Sequence, residues 1–347
     1  MNMKNSILNI LCLASLLTAC SGSDDRLPVV EEGYAAVRFT ASQAVDGQTK
    51  ADSGTDGLTA NGHVAVYAWQ GKTPTEAEKY AYSNSYTFHL ENNTCNLVPL
   101  SGEMKLPVGE GYNFYALSSN DASLLAPAME TGNRTVTLQN GVDYLMAVSD
   151  SHKVEGSAGS PIPLTFRHIA TRVVLTVKPA GTDGYVSATG LTASIAPIDS
   201  TGSYIDLSKT WDAGTHNDMI YWGAEADVTG GTPLDKANGQ VKAASKTQGS
   251  DTEFTVSFIL LPVVGKAQIP LQFDFTGIQF TASGTHANKR YTAVLTAPDG
   301  GLKGGSEYKF AAQISRKAVT FNTSLLQNPW TSGEGIGVDE VIEVDPK

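Results

Sequence analysis

Pro163-Leu164-Thr165-Phe166-Arg167-His168-Ile169-Ala170-Thr171-Arg172-Val173-Val174-Leu175-Thr176-Val177 reads as one long central β-strand. Val173, Leu175 and Val177 share a face, and β-branched residues, which fit a pleated and half-buried surface, crowd its second half. Directly behind it, Pro179-Ala180-Gly181-Thr182-Asp183-Gly184 gathers turn formers, and the pattern restarts at Tyr185. A domain boundary is therefore expected near residue 180. On either side of this stretch, short strand-like runs recur with turn residues between them. Before it lie His63–Trp69, Ser85–Leu90, Asn96–Leu100, Tyr112–Ser118, Thr135–Leu138 and Tyr144–Val148. After it lie Leu191–Ile195, Ser203–Leu207, Glu253–Pro262, Ile269–Phe275, Tyr291–Leu295 and Tyr308–Ile314, with a Gly- and Asp-rich excursion over residues 212–250. Pro74–Tyr80 alone invites a short helix. Two β-sandwiches in series account for this spacing.

Composition agrees with an all-β chain: 41% of residues are hydrophobic and only 17% charged, and 34 glycines and 15 prolines supply many turns. The net charge of −11 lacks the electrostatic footprint of a nucleic-acid binder. At the N-terminus Lys4 precedes an apolar run, Ile7 to Leu17, too short to span a bilayer, and Leu17-Thr18-Ala19-Cys20 follows. This is the pattern of a lipoprotein signal, with residues 1–19 removed and Cys20 acylated; the other reading is an ordinary secretory signal with an incidental cysteine. Each buried methylene of an acyl chain contributes about 0.8 kcal/mol, so a lipidated Cys20 would hold the chain on the outer membrane. Removing residues 1–19 of 347 leaves 328, a length suited to two domains. Cys12 leaves with the signal and Cys20 carries lipid, so Cys95 has no partner for an intramolecular disulfide. It is either a small half-buried strand residue or a reactive thiol.

From Gly33 to Ala41 the side chains of Ala35, Val37, Phe39 and Ala41 alternate with Ala36, Arg38 and Thr40, which makes a first strand with Val37 and Phe39 on its core face. The polar stretch Ser42 to Gly57 carries Lys50 and has no apolar period, so it is expected as an exposed, protease-accessible loop. At the other end, Ile336, Val338, Ile342 and Val344 fall on one face interrupted by Glu340. They form a terminal strand that either pairs within its own domain or is donated to another chain.

Chemistry-bearing motifs are sparse. The six histidines are scattered without metal-ligand spacing, no Gly-x-Ser-x-Gly elbow or phosphate-binding loop occurs, and Gly333-Glu334-Gly335-Ile336-Gly337 lacks the third-glycine spacing of a dinucleotide fingerprint. No catalytic residue, metal site or cofactor is assigned. His168, between Phe166 and Ile169, is read as a hydrogen-bonded structural histidine rather than the orienter of a nucleophile. Trp69, Trp211, Trp222 and Trp330 are either core anchors or faces that stack on sugars.

Several further stretches carry a resemblance: Thr49-Lys50-Ala51 after the first strand; Asp143-Tyr144-Leu145-Met146-Ala147; Leu164-Thr165-Phe166-Arg167-His168; and Gly305-Ser306-Glu307-Tyr308 through Pro329-Trp330-Thr331. In this order, behind a lipoprotein signal, they resemble the fimbrillin family of type V pilus subunits across nearly the whole mature chain. The resemblance implies two tandem transthyretin-like β-sandwich domains, here 51–180 and 181–347, behind a segment 20–50 that holds the first strand. It implies that a trypsin-like protease cuts between Lys50 and Ala51, where family members usually carry Arg, and that a strand from another subunit fills the vacated groove. The tail residues Ile336, Val338, Ile342 and Val344 are the donor candidates. Implied partners are other fimbrial subunits, the outer membrane through lipid, and a host or bacterial surface receptor. The alternative function is an outer-membrane, surface glycan-binding lipoprotein that uses exposed tryptophans.

Overall fold

The computed structural model describes residues 33–43, 57–71, 74, 79–130, 133–156, 159–179, 185–195, 203–208, 220–221, 240–244, 253–263, 267–280, 285–298 and 301–329. Through these residues the chain is all-β. Its first half holds β1 (Tyr34–Val37), β2 (Phe39–Gln43), β3 (His63–Gln70), β4 (Tyr82–Glu91), β5 (Thr94–Pro99), β6 (Met104–Pro107), β7 (Gly111–Ser118), β8 (Leu145–Lys153) and β9 (Ile162–His168). The second half holds β10 (Thr171–Pro179), β11 (Gly190–Ile195), β12 (Tyr204–Ile205), β13 (Ile220–Tyr221), β14 (Gln240–Ala244), β15 (Glu253–Leu260), β16 (Gln268–Ile278), β17 (Ala287–Thr296), β18 (Ser306–Ile314) and β19 (Val319–Pro329).

The first-half strands close into a barrel in the order β2-β5-β4-β3-β7-β8-β9, the ring being completed where β2 runs parallel to β9. β1 pairs separately with β6. Local chemistry sets the turns: Asn92 and Asn93, at φ 48° and 62°, make the two-residue link between β4 and β5, a left-handed conformation that asparagine tolerates and that matches the twist of a hairpin. In the second half a five-stranded sheet, β14-β15-β10-β18-β19, faces a three-stranded sheet, β11-β16-β17. Val173, Leu175 and Val177 meet Phe273, Phe275 and Tyr291 in the core between them.

Three expectations change. The run Pro163–Val177 is two strands, β9 in the barrel and β10 in the five-stranded sheet. Alternation is lost where His168, Ile169, Ala170 and Thr171 are all buried in succession, because the chain passes there from one core to the other. The Ile169 amide donates to Tyr144 O (2.9 Å) and Ala170 O accepts from the Gly305 amide (2.8 Å), fixing the corner on both sides. Sheet membership thus changes between His168 and Thr171, ahead of the turn formers near residue 180. The single first strand is also two, broken at Arg38. Thr135–Leu138 forms bridges rather than a named strand. Pro74–Tyr80 lies largely outside the described residues.

β3 and β7 are buried on both faces. Val64, Val66, Phe114 and Ala116 look into the barrel, while Tyr67, Trp69, Tyr115 and Leu117 look outward into a second apolar cluster. That cluster is capped by Leu138, Ile205, Leu207 and Leu261, and the capping segments are held by Thr135 N to Ile205 O (3.0 Å), Leu138 N to Ser203 O (2.8 Å) and Gly141 N to Ile259 O (2.8 Å). Arg134 reaches the buried Asp206 carboxylate at 3.4 Å and lies over the Tyr204 ring.

Candidate functional site: the seat of the first strand

β2 occupies the slot between β5 and β9. Its register sets Phe39 opposite Ile162, Ala41 opposite Leu164 and Gln43 opposite Phe166 on β9, and Ala41 opposite Cys95 on β5. Phe39, Ala41 and Gln43 point inward and are buried, whereas Thr40 and Ser42 are half-buried, as a period of two requires. Phe39 is 1% exposed and packs edge-on against Tyr86 (5.5 Å between ring centroids) and Phe114 (5.2 Å). Val37 is buried in the same core from β1. Burying a side chain of this size contributes roughly 1.5–3 kcal/mol each, so these residues hold the first strand chiefly by apolar contact. Five residues of β2 pair with β9 but only Thr40 and Ala41 pair with β5, so the slot grips its strand unequally. At the Arg38 break the chain leaves a cavity of about 280 Å³ lined in part by Val37, Arg38, Lys153 and Ile162.

The inner end of the slot is polar. Gln43 Nε2 donates to His168 Nε2 at 2.8 Å, so Nδ1 carries the ring hydrogen and donates it to Asp143 Oδ1 at 2.7 Å. Asn120 Nδ2 donates to Asp143 Oδ2 (2.6 Å) and Gly57 O (2.9 Å), and Asn120 Oδ1 accepts from the Thr59 amide (2.8 Å). Gln43 is 1% and His168 3% exposed. A Cβ on Gly57 would lie 1.7 Å from Gln43 Oε1, so the absence of a side chain lets the backbone close over the amide. This network ties residue 43 to residue 57, the two described residues that flank Lys50 and Ala51. His168 stands here as a hydrogen-bonded structural residue: a carboxylate orients its ring, but an amide sits where a nucleophile would have to be.

Cys95 faces the same core at 2% exposure, and burial pushes its thiol up to about 11. Trp69 is also 2% exposed, in edge contact with Tyr80 and Tyr115, and is therefore a core anchor rather than a sugar platform. Trp69→Ala should cost about 3–5 kcal/mol of unfolding free energy in a denaturant titration; a loss below about 1 kcal/mol would contradict this placement. Cys20, Lys50, Ala51, Ile336, Val338, Ile342 and Val344 lie outside the described residues, as do Trp211, Trp222 and Trp330. Among the described residues, no group of three His, Cys, Asp or Glu side chains is placed to hold a metal ion. Sequence reading missed Gln43, Asn120 and Gly57. Their partners stand 125, 23 and 63 positions away, beyond the reach of any local pattern.

No curated protein gives a significant match to the chain. Among solved structures, a candidate cell adhesion protein of Bacteroides uniformis aligns over 90% of this chain and 100% of its own, at 16% identity and a TM-score of 0.51. Another, from Bacteroides ovatus, aligns over 87% and 99%, at 13% identity and a TM-score of 0.54. At such identities these likenesses speak for the fold alone. The fimbrillin-like family model matches residues 49–330, from just before Ala51 to just beyond β19. With four-fifths of its length matched, from just after β2 through β19, the chain belongs to the fimbrillin-like family.

Proposed function

We propose that this protein is a structural or adhesive subunit of a type V pilus, exported as a lipoprotein through Cys20 and assembled by protease-triggered strand exchange. The observation that carries the reading is the position of β2. It closes the barrel between β5 and β9, and it ends just ahead of the segment that contains Lys50. Hydrolysis after Lys50 leaves β1 and β2 attached only by non-covalent contacts, and their departure bares Tyr86, Phe114 and Phe166 along with two strand edges. A strand edge beside an apolar groove is a template for another chain's strand. Partners are then further subunits of the same filament, the outer membrane through lipid before processing, and a surface receptor for an adhesive role. Localisation follows as the outer membrane and the fimbrium at the cell surface. The burial of Trp69 counts against the glycan-binding alternative at that residue.

Lys50→Ala tests the reading: it should leave the chain lipidated and abolish both the shorter form and the polymer. Mass spectrometry of the N-terminus in material sheared from intact cells reads the outcome. A start at Ala51 is expected for the unmodified chain, and normal polymers from Lys50→Ala would overturn the processing site.

A further inference from the structure

We infer that the cavity at the Arg38 break binds a small oxyanion, a phosphate ester or a carboxylate such as that of an acidic sugar, between the Arg38 guanidinium and the Lys153 ammonium. The cavity, about 280 Å³, lies where β1 gives way to β2, against the end of β8 and the start of β9. Arg38 lines it and is half-buried as a whole, but its Nε is fully buried and has no hydrogen-bond partner among the described residues. A buried N–H without an acceptor is unfavourable, and such orphans in a folded protein are few enough that each calls for a partner. Nε and the adjacent Nη form one fork of the guanidinium, whose two parallel N–H groups match two oxygens of a carboxylate or phosphate.

The charges of the lining favour an anion. Arg38 and Lys153 outnumber Glu155, the one carboxylate among the lining residues, and Glu155 is exposed to solvent. His152 adds no further positive charge at neutral pH: burial lowers its pKa below the ordinary 6.5 although Asp150 opposes this, and its Nε2 lies 2.6 Å from the Ser149 hydroxyl. In a chain of net charge −11, an excess of positive groups around a cavity is a local focus for anions. Ser160 adds a hydroxyl that can donate to a further oxygen. The volume stands near the lower limit of ligand pockets, roughly 300 Å³, and so suits a single small group rather than a chain of them. The two cations come from different parts of the fold, Arg38 from the first strands and Lys153 from the end of β8, so a bound anion clamps the one to the other. The Ile162 amide, which donates to Arg38 O at 2.9 Å, marks that joint. The inference stands without the strand-exchange reading; where a subunit does exchange its first strand, a bound anion opposes the step.

Isothermal titration of the full chain with Cys20→Ser, in a chloride buffer of constant ionic strength, reads the binding of inorganic phosphate, of glucuronate and, as the uncharged control, of glucose. Saturable binding of one or both anions and none of glucose is expected. Phosphate alone assigns a phosphate ester as the natural group, glucuronate alone an acidic sugar, and both together the shared oxyanion chemistry. Arg38→Gln should weaken binding about tenfold or more, and Lys153→Gln, at an exposed position, about two- to fivefold. Lys105→Gln, on β6 outside the lining, should leave it unchanged. If Arg38→Gln lowers the melting temperature of the unliganded chain, Arg38→Lys, which keeps the charge and loses the fork, carries the same test. In hydrogen–deuterium exchange, saturating anion should slow the Ile162 amide and those of β1 and β2 in the parent and not in Arg38→Gln. Absence of saturable binding by either anion, or binding that neither Arg38 variant weakens, would overturn the site. Binding that leaves exchange at Ile162 unchanged would overturn the clamp.

Discussion

Cutting the folded chain after Lys50 and displacing its N-terminal fragment should raise the reaction rate of Cys95 with a thiol reagent by about a hundredfold or more. In the intact chain Cys95 is 2% exposed, opposite Ala41, with its thiol pushed up to about 11 from the ordinary 9.0 by burial. The reacting species is the thiolate. Below pH 9, a return to the ordinary value by itself multiplies the thiolate fraction about a hundredfold, and open access adds to this. In the uncut protein labelling should stay slow until the pH approaches 11. Stopped-flow or absorbance assays with an aromatic disulfide, run on cut and uncut protein side by side, read the difference. Equal rates would mean that β2 does not cover Cys95, and the proposed groove would go with it.

Phe39→Ala should cost about 3–5 kcal/mol of unfolding free energy, the largest single-residue effect expected in the first strand. The ring is 1% exposed and lies between Tyr86 and Phe114, so truncation removes buried apolar surface and leaves a cavity that the surrounding strands, fixed by their ladders, cannot fill. The half-buried Thr40, on the outer face of the same strand, provides the control: Thr40→Ala should change stability by no more than about 0.5–1 kcal/mol. Denaturant titrations of both variants measure the contrast. A loss below about 1 kcal/mol for Phe39→Ala would show that the strand is not anchored through its core face. Because apolar contact supplies most of this anchoring, an exchanged strand must bring its own apolar side chains to the positions that Phe39 and Ala41 fill.

Several elements were legible from the residues alone. The strand-like runs His63–Trp69, Tyr112–Ser118 and Ile269–Phe275 reappear as β3, β7 and β16, and the buried set Val37, Phe39, Val173, Leu175 and Val177 was visible in the pattern. The family was legible too, because its marks are short motifs in a fixed order. β6 and β19 escaped notice. At Met104–Pro107 the strand is only four residues long, too short for a period of two to establish itself.

What the sequence by itself determined about this protein is which residues extend and which of their faces turn inward, since both follow from side-chain period and β-propensity within a few residues. Tertiary structure alone decided which strands pair. The split of Pro163–Val177 into β9 and β10, and the break at Arg38, mark places where the chain changes sheets, and the local pattern holds no term for the partner. The same holds for the Gln43–His168–Asp143–Asn120 network, whose members come from separate parts of the chain and meet only when the barrel closes. Hydrogen bonding between such residues depends on distance in space, and closing a barrel around one strand is the event that sets those distances.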